Sequence, residues 1–162
     1  MRLFKHLFAP SARRLFPAES LKRIAAAIAD SERGHSGELC FAVEPSLEPR
    51  AVWAGQQARD RASDVFAQLR VWDTRGNNGV LLYLRLADHR IEVVADRGFD
   101  GLVSAEQWRG VCQLIEERLR AGEPEAAVLR GVEALTDLLV EYFPRGAEYV
   151  DSNELPDQPQ LL

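Results

Sequence analysis

At 162 residues, 46% of them apolar and 28% charged, the chain is long enough to bury one substantial core without disulfides or metals as staples. Its net charge of −5 argues against nucleic acid as a partner. No apolar run approaches the roughly 20 residues of a membrane span, and the start lacks a signal peptide's apolar centre and cleavage site. The expected compartment is therefore the cytoplasm. Charge is segregated along the chain: residues 1–23 are basic and residues 145–162 acidic.

Residues 1–16 form a basic amphipathic arm. Leu3, Phe4, Leu7 and Phe8 share one helical face, Lys5 and His6 lie elsewhere on the wheel, and Pro10 ends the turn. Arg13 and Arg14 then stand beside Leu15 and Phe16. Such an arm suits an anionic membrane surface, a protein partner, or packing onto its own core. His6, in the arm, reads as an exposed residue, and so does His89 in a later turn.

The folded domain is expected over residues 17–144. Leu21, Ile24 and Ile28 recur at helical spacing after Pro17 and Ser20, and Gly34 stops that helix. Residues 38–44 are a short apolar run that suits a strand buried on both faces. Residues 48–70 read as one long helix with Val52, Ala58, Ala62, Val65, Phe66 and Leu69 inward. Residues 79–86 are a second buried strand, so the strand–helix–strand unit should be parallel and right-handed. After a tight connection at 87–89, residues 90–96 return antiparallel as a partly solvated strand.

Ser104 with Gln107 has the capping-box pattern and opens a helix carrying Trp108, Val111, Cys112, Ile115 and Leu119 inward. A last helix from about Glu123 buries Val128, Val132, Leu135 and Leu139 until Pro144. Residues 145–162 read as a disordered acidic tail. The expectation is an α/β fold, a three-layer α/β/α sandwich around a small mixed sheet. Cys40 and Cys112, each flanked by apolar residues, read as buried free thiols.

No phosphate-cradling glycine loop, nucleophile elbow, paired CxxC or HExxH is present. His35 and Ser36 are adjacent, and neighbours in sequence rarely hold nucleophile–base geometry. The polar stretch before the second strand is more informative. Asp73, Asn77 and Asn78 offer oxygens on one loop, as hard cations such as Ca²⁺ or Mg²⁺ require, although the same residues also form plain turns. The topology brings Asp96 and Asp100, after the third strand, and Glu38, before the first, to the same sheet end. That end is the N-terminal edge of the parallel pair, opposite the usual α/β ligand crevice.

Gly37-Glu38 before an apolar strand, then Asp73-x-x-x-Asn77-Asn78-Gly79-Val80-Leu81-Leu82 and Arg90-Ile91-Glu92-Val93, resemble the TPM domain family from about Phe16 to Phe143. The resemblance implies an α/β/α sandwich, with phosphatase activity or divalent-cation binding described for some members. Asp73 would match the loop acid and Asn77 with Asn78 the amide pair. The chain departs from the pattern at Asp96-Arg97-Gly98, where the family often has Gly-x-Gly, and at Ala105, where an acid often opens the helix.

The functional expectation is a non-catalytic interaction or regulatory module with a divalent-cation site at Asp73, Asn77 and Asn78, helped by Asp96, Asp100 or Glu38. Its partner would be a protein, or a membrane reached through residues 1–16. The alternative is metal-assisted hydrolysis of a phosphate ester, with Arg75 or Arg97 clamping the phosphate.

Overall fold

The computed structural model describes residues 2–147, 149–150 and 153–162. Helices α1 (Arg2–Leu7), α2 (Ala12–Leu15) and α3 (Ala18–Glu32) lead into strand β1 (Glu38–Glu44). Helices α4 (Pro49–Trp53) and α5 (Ala58–Gln68) follow, then β2 (Gly79–Arg85) and β3 (Arg90–Ala95). Helices α6 (Ala105–Arg120) and α7 (Pro124–Tyr142) precede a short strand β4 (Gln160–Leu161). The sheet order is β3-β2-β1-β4, with β1 parallel to both β2 and β4, and β2 antiparallel to β3.

Every residue of β1 and β2 is buried, as their uninterrupted apolar composition requires of strands covered on both faces. Alternate side chains go to opposite faces. Leu39, Phe41, Val43, Leu82 and Leu84 pack with α3, α6 and α7, whereas Cys40, Ala42, Leu81 and Tyr83 pack with Ala62 and Val65 of α5. The α/β/α layering is as expected. The Ser104 capping box on α6 is present in both directions, with Ser104 Oγ accepting from the Gln107 amide and Gln107 Oε1 accepting from the Ser104 amide.

Three expectations need correction. The helix expected over 48–70 is two helices, because Gly55 adopts φ +74° and closes α4. Its amide donates to Val52 O (3.1 Å), and that of Gln56 to Ala51 O (3.0 Å), the paired bonds of a Schellman ending. The tail expected to be disordered is held at both ends of its described part. Leu155 is buried, and Gln160 and Leu161 pair with Ala42 and Val43. An uncovered β1 would present a row of unpaired backbone groups, and the tail pairs with the last part of that edge, at Ala42 and Val43.

His6, expected to be exposed, is buried. Its Nδ1 accepts from the Leu47 amide (3.0 Å), so Nε2 carries the ring proton toward Asp88 Oδ2 (3.2 Å). With Arg2 Nη2 also on Gln56 O (2.6 Å) and Asp88 Oδ2 (3.2 Å), the polar side of the arm is bolted to the domain. Phe16 is fully buried and packs edge-on against Phe41, with ring centroids 5.9 Å apart.

Candidate functional site

Four segments meet at the N-terminal edge of the parallel strands: 34–37, 74–78, 96–100, and the tail at Glu154 and Leu155. Two close approaches shape this edge. A Cβ on Gly79 would sit 2.0 Å from Val71 O, and one on Gly98 2.4 Å from Asn77 O. Asn77 itself takes φ +49°, a left-handed conformation that asparagine tolerates better than most residues.

The candidate ligands are largely engaged with one another or with backbone. Asn78 is buried; its Nδ2 donates to Ser36 O (3.1 Å), and its amide donates to Thr74 Oγ1 (3.2 Å). It therefore fastens the loop before β2 to the loop before β1. Glu38 is also buried, and its carboxylate accepts the amides of Glu154 and Leu155 (both 3.1 Å). Asp73 is half exposed and accepts Arg70 Nη2 (2.6 Å). Asn77 Oδ1 accepts Arg97 Nε (3.1 Å).

Arg75 donates its amide to Glu154 (3.1 Å) and lines a cavity of ≈ 520 Å³ with Ser36, Asn78 and Glu154. Asp96 and Asp100 line a different cavity, of ≈ 350 Å³, beside Phe99 and Trp108. Asp96 Oδ1 accepts the Arg97 amide (2.8 Å), while Oδ2 is buried without a hydrogen-bond partner among the described residues. The structure thus divides the six candidate ligands between two cavities and several structural bonds. Among the described residues, no three His, Cys, Asp or Glu side chains gather as a metal cluster.

The remaining reactive groups are quiet. His35 is buried; its Nδ1 donates to Gly37 O (3.0 Å), and Nε2 pairs with Ser31 Oγ (2.9 Å). Burial pushes its pKa down to about 4, so the ring is neutral at physiological pH. Ser36 Oγ donates to Phe143 O (3.4 Å) rather than to the neighbouring histidine. Burial raises the Cys40 thiol to about 12 and Cys112 to about 11, leaving neither as a thiolate nucleophile.

The opposite end of the sheet carries groups that sequence reasoning overlooked. Glu44, closing β1, accepts Arg61 Nη2 (2.8 Å) and the hydroxyl of buried Tyr83. Asp88, in the β2–β3 turn, accepts Arg2, His6 and Arg85 on a single oxygen. Burial works against its charge, but the Arg2 hydrogen bond and the charge of Arg85 outweigh it and hold Asp88 below the usual carboxylate range. The sequence signal was available: Arg85 ends an otherwise apolar strand and faces Arg90 across a short turn.

A mixed sheet with its parallel pair clasped by α3, α6 and α7 on one side and α5 on the other defines a small α/β/α domain. Its polar loops gather at the N-terminal strand edge. The chain belongs to the TPM domain family, whose family model matches residues 12–138. No curated protein matches it. Among solved structures it is similar to the NMR structure of the BA42 protein from the psychrophilic bacterium Bizionia argentinensis. That likeness has a TM-score of 0.78 at 30% identity, covering 90% of this chain and 94% of that one.

Proposed function

We propose that this TPM domain is a non-catalytic binding module that docks on an anionic membrane surface through its N-terminal arm. The observation that carries this reading is the fixed orientation of the arm. His6 and Arg2 tie its polar side to the domain, while Phe4 (66% exposed), Leu7 (56%) and Phe8 (80%) stand in solvent. Trp53, 87% exposed on α4, which packs against α1, adds a further exposed ring with Arg50 beside it, and Arg13 and Arg14 of α2 are exposed as well. Exposed aromatic and basic residues in neighbouring segments suit the headgroup region of an anionic bilayer. No helix among the described residues is long and apolar enough to cross a membrane, which agrees with a peripheral contact.

Co-sedimentation with phosphatidylcholine vesicles, with and without phosphatidylserine, tests this. The protein should sediment with the anionic vesicles only. Serine at Phe4, Phe8 and Trp53 together should weaken that by roughly tenfold or more, since each ring contributes on the order of 1 kcal/mol at an interface. Substitution is preferable to deleting residues 1–16, which would remove the core residue Phe16. Equal sedimentation of the triple variant and the natural chain would retire the membrane role.

A second reading, a divalent-cation site, is favoured by the unpartnered buried Oδ2 of Asp96 beside Asp100. This pair, rather than the full set of six, fits Ca²⁺ or Mg²⁺, because a hard cation would satisfy the orphaned carboxylate oxygen. A cation bound there would supply positive charge able to polarise an anionic ligand's oxygen. Millimolar Ca²⁺ should raise the melting temperature of the natural protein and leave Asp96→Asn unmoved. The same shift in both, or none in either, removes the site.

A further inference from the structure

We propose that the cleft at the C-terminal end of β2 is a binding site for a phosphate-type oxyanion, distinct from the loop edge and from the apolar face of the arm. The cleft has a volume of ≈ 540 Å³ and is lined by five basic side chains against two acidic ones, Asp88 and Glu92. Both acids are engaged, Asp88 by Arg85 Nη2 (2.7 Å) and Glu92 by Arg59 (3.8 Å). A net positive charge remains facing the cavity.

Arg85 is the decisive residue. It is 1% exposed and lines the cleft, yet its Nε and Nη1 have no hydrogen-bond partner among the described residues. Leaving two guanidinium nitrogens buried and unpaired is costly, and an oxyanion accepting from them removes that cost. Strand geometry points the same way. Arg85 lies two residues beyond Tyr83, so both face the α5 layer, and Arg85 pairs directly with Arg90 across the hairpin. Like charges in directly opposed positions repel, and a shared anion between them reverses the sign.

Helix α5 supplies the third element. Its first turn, at Ala58 and Arg59, opens on the same cleft, and its N-cap Gln57 makes no side-chain capping bond. The free amides and dipole of an 11-residue helix start therefore face the cavity occupied by the arginines. A guanidinium fork matches carboxylate and phosphate alike, and a phosphate has oxygens enough to accept from more than one arginine and from the helix amides at the same time. This is also the strand end at which α/β folds usually hold ligands. Arg2 and Lys5 of α1 close the rim, so the phosphate could be a soluble monoester or the headgroup of a lipid met by the arm.

Titrating the full chain with inorganic phosphate at fixed ionic strength, followed by amide NMR, tests the site. Shifts should concentrate at 58–59 and 85–92. Arg85→Gln strips a partner from Asp88 and can fail for that reason alone, so the informative variant is Arg59→Gln with Arg90→Gln, both exposed residues. That pair should weaken binding on the order of tenfold or more. Phosphate shifts that are absent in the natural protein, or as strong in the double variant, overturn the proposal. Vesicles containing phosphatidate or phosphatidylserine distinguish the source. A phosphatidate preference lost in the double variant assigns a lipid headgroup, and no preference, with inorganic phosphate still bound, assigns a soluble monoester. Phosphate binding is independent of the membrane reading, because serine at Phe4, Phe8 and Trp53 should weaken sedimentation by roughly tenfold or more and leave the phosphate shifts intact.

Discussion

Glu44→Ala is expected to lower the unfolding free energy by about 3–5 kcal/mol, the range for stripping one partner from a buried charge network. Glu44 is the last residue of β1 and lies opposite Arg85 in the parallel register. Its carboxylate takes a forked contact from Arg61, with Nε at 3.1 and 3.2 Å and Nη2 at 2.8 Å, and also the Tyr83 hydroxyl. Tyr83 is fully buried, and burial together with that bond pushes its hydroxyl far above the usual phenol range. Alanine would leave the phenol and a mostly buried guanidinium without an acceptor. Glu44→Gln keeps one acceptor oxygen and should cost about half as much. Urea denaturation of the three proteins measures this. Asp73→Ala is the internal contrast, because the Arg70–Asp73 pair is exposed and should change stability by less than about 1 kcal/mol. If Glu44→Ala were as mild as Asp73→Ala, the network would not be holding the end of β1.

The parts of this fold that were legible in advance are those where one short segment carries its own signal. β1 and β2 are apolar runs bounded by turn residues, and Ser104 with Gln107 announces α6 within four residues. The convergence of loops 34–37, 74–78 and 96–100 followed from strand direction alone. Contacts made across long sequence distances were not legible. Glu38 reads as a free acid beside a strand, yet it accepts an amide 116 residues away, and that bond occupies it structurally. β4 is only two residues long and has no periodicity to detect. His6 looks like a solvated residue because its partners, Leu47 and Asp88, belong to loops that come near only in the folded domain. Arg85 is legible as a charge ending an apolar strand, but its burial is not, because residues of the arm and α5 come to line the cleft around it only in the folded domain.

Above pH 6.5 the protein should lose stability steadily toward pH 9, and Glu32→Gln should abolish most of that loss. Glu32 ends α3 and is buried; burial raises its pKa to about 9, with the charges of Glu38 and Asp157 adding to the rise despite the opposing hydrogen bond from the Leu39 amide. The folded state therefore keeps a proton that the unfolded chain, with an ordinary value of 4.5, has released. Protons bound to the native state exceed those bound to the unfolded state, so stability falls as pH rises between those values. His35 acts in the opposite sense. Its folded value of about 4 lies below the ordinary 6.5, so the unfolded chain binds the extra proton and stability rises with pH across that interval. Between pH 4.5 and 6.5 the two slopes oppose each other, giving a plateau. Above it only the Glu32 slope remains. Glu32→Gln keeps an acceptor for the Leu39 amide without the charge, and should gain on the order of 3 kcal/mol at pH 8. Because Asp157 lies near enough for its charge to raise the Glu32 pKa, ionisation of Glu32 also sets like charges against the tail. Amide exchange at 155–161 should accelerate at pH 9 in the natural protein and stay slow in the variant. A natural protein equally stable at pH 7 and pH 9, or a Glu32→Gln variant that follows the same alkaline decline, would place the proton elsewhere.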